Sequence, residues 1–279
     1  MSYRTIVTLL NDPEAPTGAL EAAIALASAQ DAHLDVICLG IDRTDPGLYY
    51  AGSEAIAIGT AQREARANAA QLEERVTERL AHESLPWEVQ IVTVHENGLY
   101  TSLTDRMRYA DMAVMPTPYT PQSRGEEATA VEAALFGADI PIVIVPEGLE
   151  MPPRFSRVMV GWDESDQALA AVRAALPIVT SADEVEITVI DPPRRDADSP
   201  DPGGRLARFI DRHGGNPEIA VLARSEPNTA NMLNTRAIQG GYDLLVIGAY
   251  GHSRLREAFL GGVTRDMLRD AKVPVLLAR

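Results

Sequence analysis

Ten short apolar runs, separated by alanine-rich stretches of helical composition, divide this chain into two series of five, and no other feature restricts its fold so strongly. The first series is Tyr3–Leu10, His33–Ile41, Trp87–Val94, Asp111–Pro116 and Ile140–Val145. The second is Arg157–Trp162, Val185–Ile190, Pro217–Leu222, Asp243–Gly248 and Val273–Ala278. Their starts are 30, 54, 24 and 29 residues apart in the first series and 28, 32, 26 and 30 in the second. Local wording repeats as well. Tyr109-Ala-Asp-Met-Ala-Val-Met answers Gly241-Tyr-Asp-Leu-Leu-Val-Ile, and Ala138-Asp-Ile-Pro-Ile-Val answers Ala271-Lys-Val-Pro-Val-Leu. A period of about 150 residues carried by five matched runs marks a duplicated domain. The join falls at 146–153, where prolines and a glycine break both periodicities, so domains of 1–147 and 154–279 are expected on either side of a short linker.

Short strands alternating with helices imply parallel sheets with right-handed crossovers. The expected fold is therefore α/β: two tandem doubly wound domains, each a five-stranded parallel sheet with helices on both faces. The one irregular spacing, 54 residues, leaves room for an additional long helix over Gln62–Glu83, preceded by a loop containing Tyr49, Tyr50, Gly52 and Gly59. In the second half, Pro192–Gly204 is too rich in proline and aspartate for regular structure. Both a mobile lid and a plain linker are open readings of it, ahead of a short helix at Arg205–Arg212. Ligands of such sheets sit at the carboxyl ends of strands near the point where the winding reverses. Attention therefore goes to the loops after strands one, two and four of each half.

Composition narrows the function. No apolar run reaches the roughly 18 residues a membrane-crossing helix needs, and the amino terminus enters a strand with no leader pattern, so a cytoplasmic location and no membrane partner are expected. The formal net charge of −15 opposes sequence-independent binding to nucleic acid. It is unevenly spread: residues 1–150 carry 9 Arg and no Lys against 23 acids, whereas residues 151–279 are nearly balanced at −1. The second half is the easier host for an anion. The single cysteine, Cys38, lies in an apolar run and reads as a buried thiol. The five histidines show no spacing that would hold a metal, and no serine sits in a nucleophile elbow, so neither a metal nor a catalytic residue is assigned.

The strongest chemical signal follows the fourth strand of the second half. Gly248, Gly251 and Gly261 form a Gly-x2-Gly-x9-Gly pattern ahead of a helical stretch at Arg265–Ala271. Glycines let backbone approach a ligand, and amides at a helix start point towards an anion. His252 lies inside this loop, and Arg254 and Arg256 add charge near it. The pattern is neither a P-loop, since no Gly-Lys-Ser/Thr ends it, nor the dinucleotide fingerprint, whose glycine spacing differs.

At this loop the sequence resembles the universal stress protein family, whose ATP-binding members carry Gly-x2-Gly-x9-Gly-Ser/Thr after the fourth strand. The resemblance extends to Val158-Met-Val-Gly-Trp-Asp163 and to Val273-Pro-Val-Leu-Leu, spans residues 154–279, and is fainter over 3–146. It implies a tandem member of the family with the adenine nucleotide alpha hydrolase-like fold. It further implies that Asp163 meets the adenosine moiety, that Val189 lines the adenine, and that Gly248, Gly251 and Gly261 surround the ribose and phosphates. The ligand so implied is ATP or a related adenine nucleotide, with or without magnesium. The chain departs from the pattern at Gly262, where the family has Ser or Thr. Thr264, beyond Val263, is the nearest substitute hydroxyl.

Asp163 also has an ordinary reading, as a cap for the following helix, which Ser165 or Asp166 could fill equally. In the first half Pro116 and Tyr119 replace the first two glycines, and Ala128 and Thr129 fall near the third. Proline lacks the amide a phosphate cradle requires, so no nucleotide triphosphate is expected there. The leading expectation is a non-enzymatic nucleotide-binding stress protein. A structural or interaction protein that has lost its ligand is the alternative, and slow ATP hydrolysis or adenylation a distant third. The fifth runs, Ile140–Val145 and Val273–Ala278, would be exposed sheet edges. The resemblance implies that they pair antiparallel in an intramolecular pseudo-dimer. A homodimer and an unidentified protein partner are left open.

Overall fold

The computed structural model describes residues 2–14, 17–44, 54–120, 123, 125–149, 151–192, 201–249 and 262–279. All ten predicted strands are present, each within two residues of its predicted ends: β1 Thr5–Leu10, β2 His33–Asp42, β3 Trp87–His95, β4 Met112–Pro116, β5 Ile142–Val145, β6 Arg157–Gly161, β7 Glu184–Ile190, β8 Pro217–Leu222, β9 Leu244–Gly248 and β10 Val275–Ala278. The helices are α1 Gly18–Gln30, α2 Glu54–Leu80, α3 Leu99–Met107, α4 Glu126–Glu132, α5 Asp166–Val179, α6 Gly204–Arg212, α7 Thr229–Gly240 and α8 Gly262–Asp270. The chain forms two compact units, one of Tyr3–Met115 with Gln122–Ile140 and the other of Met1–Ser2, Pro116–Pro121 and Pro141–Arg279.

In the N-terminal unit the strand order is β3-β2-β1-β4, all parallel. The inserted helix starts earlier than its composition suggested, because Gly59 lies inside α2 rather than in a loop. Tyr49, Tyr50 and Gly52 lie outside the described residues. Ala65, Ala69, Leu72, Val76 and Leu80 form one buried stripe at three- and four-residue intervals. Glycine is required at position 40, where β2 passes under α2: a Cβ there would stand 1.9 Å from the Ala65 carbonyl oxygen. Cys38 in β2 is fully buried, and burial, followed by the charge of Glu73, pushes its thiol up to about 12, so it is chemically quiet.

In the C-terminal unit the order is β5-β10-β9-β6-β7-β8. Strands β6 to β10 run parallel, while β5 pairs antiparallel with β10 through Val275↔Ile144, Leu276↔Val143 and Leu277↔Ile142. The two apolar fifth runs thus satisfy each other's edges, and β10 is paired on both sides. Helices cover both faces of the sheet, α5 packing across β6, β9 and β10, and α7 lying beside α8. Strand β6 sits where the winding reverses, with β7 on one side and β9 on the other.

One buried charge ties the lower part of this unit together. Glu186 on β7 is 8% exposed and accepts hydrogen bonds from the Arg236 guanidinium on α7, from Tyr242 Oη at 2.7 Å and from Thr188 Oγ1 at 2.8 Å. Burial pushes its carboxyl upward, but the bonds from Arg236, Tyr242 and Thr188 outweigh that and hold it below the ordinary glutamate range.

Because the folded-state value is depressed, the ionised Glu186 stabilises the fold above the ordinary glutamate range, and that contribution is lost as pH falls through the lowered value. Glu186→Gln should lower the urea midpoint at neutral pH and flatten its decline in acid; an unchanged acid limb would assign that decline to other carboxylates. Val275→Pro should remove a ladder donor in a strand paired on both sides and lower the midpoint by the equivalent of about 1–3 kcal/mol for a stranded buried carbonyl.

Candidate functional site

At the carboxyl end of β6 the chain leaves towards α5, while the chain leaving β9 returns through α8, and a pocket of about 340 Å³ opens between them. Gly161, Trp162 and Asp163 contribute from β6, Thr188 and Ile190 from β7, Ile247 and Gly248 from β9. Arg224 enters from the loop after β8, Thr229 and Leu233 from α7, and Gly262, Val263 and Thr264 from the first turn of α8. A helix start facing a pocket presents amides without intrahelical partners and the positive end of the helix dipole, which suits an anion. A wider cleft of about 760 Å³ lies between α5 and α6, but the first turn of α6 meets the Asp201 carboxylate there, so that helix start faces a negative group of the protein itself.

Asp163 is exposed at the pocket rim. Its Oδ1 accepts from Ser165 N at 3.0 Å and from Ser165 Oγ at 2.6 Å, and Ser165 Oγ accepts from Ala168 N at 3.1 Å as the N-cap of α5. The capping and ligand readings of Asp163 are therefore compatible: Ser165 caps, Asp163 holds Ser165, and Asp163 Oδ2 makes no hydrogen bond among the described residues. Between them Glu164 adopts a left-handed φ of 65°, an uncommon backbone state for a residue with a side chain.

Gly248 has a packing role visible only in three dimensions. A Cβ there would lie 2.5 Å from Ala168 N and 2.6 Å from the Gln167 carbonyl carbon, so glycine allows β9 to end against the backbone of α5. Gly262 is the opposite case: exposed, without a left-handed φ, and with nothing among the described residues within 4 Å of an added Cβ. Thr264 is buried at 5% exposure and lines the pocket with Val263. Gly251, His252 and Gly261, together with Arg254 and Arg256, lie outside the described residues.

Val189 does not line this pocket. Strand alternation turns it to the other face, where its Cγ2 lies 3.6 Å from the position of a Cβ on Gly203, and gives the pocket to Thr188 and Ile190. Arg224 was not marked by sequence reading. It lies two residues past β8, and the rule that ligands gather at carboxyl strand ends would have pointed to it. His33, Asp35 and Glu88 meet at the amino ends of β2 and β3, with His33 Nε2 3.2 Å from Asp35 Oδ1. Sequence spacing did not reveal this grouping, because Glu88 comes from the neighbouring strand, directly opposite Asp35.

The corresponding place in the N-terminal unit is filled by the protein itself. Asp12 repeats the turn of Asp163, its Oδ1 accepting from Glu14 N at 2.9 Å. The first turn of α4, however, brings in Glu126, a carboxylate 7% exposed. Arg43, after β2, donates to its Oε1 at 2.5 Å, and Asn11, after β1, donates to its Oε2 at 3.3 Å. Asn11 Nδ2 and Ser123 Oγ both donate to the neighbouring Glu127, at 2.9 and 2.8 Å. The three loops that would converge on a ligand's anion converge here on an internal one.

Residues 154–279 match the model of the Universal stress protein family. The second half of the chain belongs to that family. A curated protein of Synechocystis sp., Universal stress protein Slr1230, is 32% identical over 77 residues; the match spans 27% of this chain and 25% of that protein. A universal stress protein structure from Archaeoglobus fulgidus DSM 4304 superposes with a TM-score of 0.72 at 15% identity, covering 98% of this chain and 96% of its own. One from Pseudomonas aeruginosa UCBPP-PA14 superposes with a TM-score of 0.63 at 13% identity, covering 99% and 93%. Both halves together therefore have the fold of a two-domain universal stress protein. Among the described residues no helix is long and apolar enough to cross a membrane.

Two glycine variants separate packing from binding. Gly248→Ala should destabilise the protein by about 1–3 kcal/mol, as an overpacked contact with backbone does. Gly262→Ala should stay within about 0.5 kcal/mol, since it meets open space. Urea unfolding of the pair checks both.

Proposed function

We propose that the C-terminal unit binds an adenine nucleotide, ATP or a close relative, in the pocket at the ends of β6, β7 and β9. In this reading the protein acts as a nucleotide-responsive stress protein rather than as an enzyme. The observation that carries this reading is the start of α8, which opens with Gly262, Val263 and Thr264 onto a pocket at the point where the sheet's winding reverses. Asp163 Oδ2 is available to a ribose hydroxyl or an amino group, and Ile190, Leu233 and Ile247 supply apolar contact for a base. Asp163 is the single carboxylate among the described lining residues and has one oxygen committed to Ser165. A magnesium ion accompanying the ligand would therefore be carried mainly by the ligand's own phosphates.

The N-terminal unit binds no nucleotide in this reading, because the Glu126 carboxylate holds the position an entering phosphate would need and would repel it. It serves packing and recognition of a protein partner. A second reading, in which both sites have lost their ligand, is favoured by Gly262, which leaves the first turn of α8 without the family's hydroxyl.

Protein purified without added ligand should release adenine nucleotide on denaturation, or show a Tm that rises with millimolar ATP as binding to the folded state demands. Absence of both would favour the second reading. Gly262→Ser should tighten ATP binding about tenfold, the worth of one hydrogen bond to a charged acceptor, without altering the ligand-free Tm. Equal affinities would place the phosphates away from α8.

A further inference from the structure

The duplication supplies an internal comparison at the amino ends of the second and third strands of each unit. In the C-terminal unit three carboxylates gather there: Glu184 and Glu186, on one face of β7, and Glu218, directly opposite Glu186 on β8. Like charges placed opposite each other destabilise a sheet, and this unit neutralises them. Arg157 on β6 lies 2.6 Å from Glu184. Arg236 on α7 grips Glu186 with Nε, at 2.9 Å, and with Nη2, while Tyr242 Oη donates to it at 2.7 Å.

The N-terminal unit has the same corner with different occupants. Asp35 of β2 stands opposite Glu88 of β3, so two carboxylates again face each other, and His33 takes the place of Glu184. The neutralising partners have gone. Thr5 replaces Arg157, and Ala110 replaces Tyr242. Residues 1–150 contain no lysine, and among the described residues no arginine forms an ion pair with Asp35 or Glu88. Burial, with a smaller push from Glu88, holds the Asp35 carboxyl above the ordinary aspartate range against the pull of His33.

The corner therefore holds a mixed donor set in place of ion pairs. One imidazole nitrogen and two carboxylates offer atoms that all lie within 4.8 Å of one another. His33 Nε2 is 3.2 Å from Asp35 Oδ1, close to the roughly 3.3 Å between neighbouring ligands in a tetrahedral zinc shell. Glu88 is exposed, so its carboxylate can turn to close the remaining gap. A nitrogen donor beside two oxygens favours zinc over calcium or magnesium, which take oxygen ligands.

We propose that His33, Asp35 and Glu88 bind a zinc ion at the amino ends of β2 and β3, with a fourth position for water. The ion neutralises the facing carboxylates and ties the edge strand β3 to β2, the task that Arg157, Arg236 and Tyr242 perform among the carboxylates of the other unit. The site stands whether or not the C-terminal unit holds a nucleotide.

Calorimetric titration of the untagged full chain, stripped of metal with a chelator, with zinc chloride tests it, alongside the Tm with and without the metal. The wild type should take up one zinc per chain and melt at a higher temperature with zinc, as binding to the folded state demands. His33→Ala and Glu88→Gln should each weaken zinc binding by more than about tenfold, since even groups beyond the ligand shell are worth that much. Their metal-free Tm should not fall. Glu218→Gln, the counterpart of Glu88 in the neutralised corner, should leave zinc affinity unchanged. Absence of zinc binding in the wild type would overturn the proposal. So would zinc affinity that survives His33→Ala, which would place the ion elsewhere, or zinc readily displaced by calcium, which would reduce the corner to an acidic patch.

Discussion

A parallel strand whose two neighbours are reached by chains leaving in opposite directions cannot have its carboxyl end covered by either connection. In the C-terminal unit that strand is β6, with β7 and β9 beside it, and every feature of the candidate site follows from the gap above it. The gap places the start of α8, the Asp163 turn and the end of β7 around one volume. It also explains why Gly248 is glycine, since β9 must end against the backbone of α5 for the two sides of the gap to meet.

The same topology occurs in the N-terminal unit, where β1 stands between β2 and β4, but the gap there is closed. Closure is electrostatic rather than apolar. A buried carboxylate is tolerated only when donors surround it, and Glu126 has Arg43 and Asn11, one from each of the two neighbouring loops. The two units therefore solve one problem in two ways. A helix start that faces a crevice favours a negative group; α4 receives one from its own first turn, whereas the first turn of α8 holds no acidic residue.

Much of the fold was legible in the sequence because the information is local. A strand buried on both faces has to be a short apolar run, and ten such runs at matched spacings leave little freedom in element order. Boundaries blurred where helical composition continued into a segment with glycine, as at Gly59, because a helix already anchored by the stripe from Ala65 to Leu80 tolerates one unfavourable residue. Of the residues marked in the sequence, Asp163, Gly248, Gly262, Val263 and Thr264 line the pocket, where strand ends and a helix start meet. Val189 was displaced by one residue, and for a strand one residue is the whole difference between two faces. The meeting of His33 and Asp35 with Glu88 was not legible, because it depends on which strands are neighbours in space.

The sequence by itself determined the element types, their duplication, the single low-charge half and the glycine-bearing connection after β9, since periodicity, composition and turn chemistry act over a few residues at a time. Only the tertiary structure decided that Thr188 and Ile190 rather than Val189 meet the pocket, that Glu126 closes one crevice and that Arg224 stands at the rim of the other. Those outcomes depend on strand order and on the pleat of each strand, and both are settled by contacts between residues far apart in the chain.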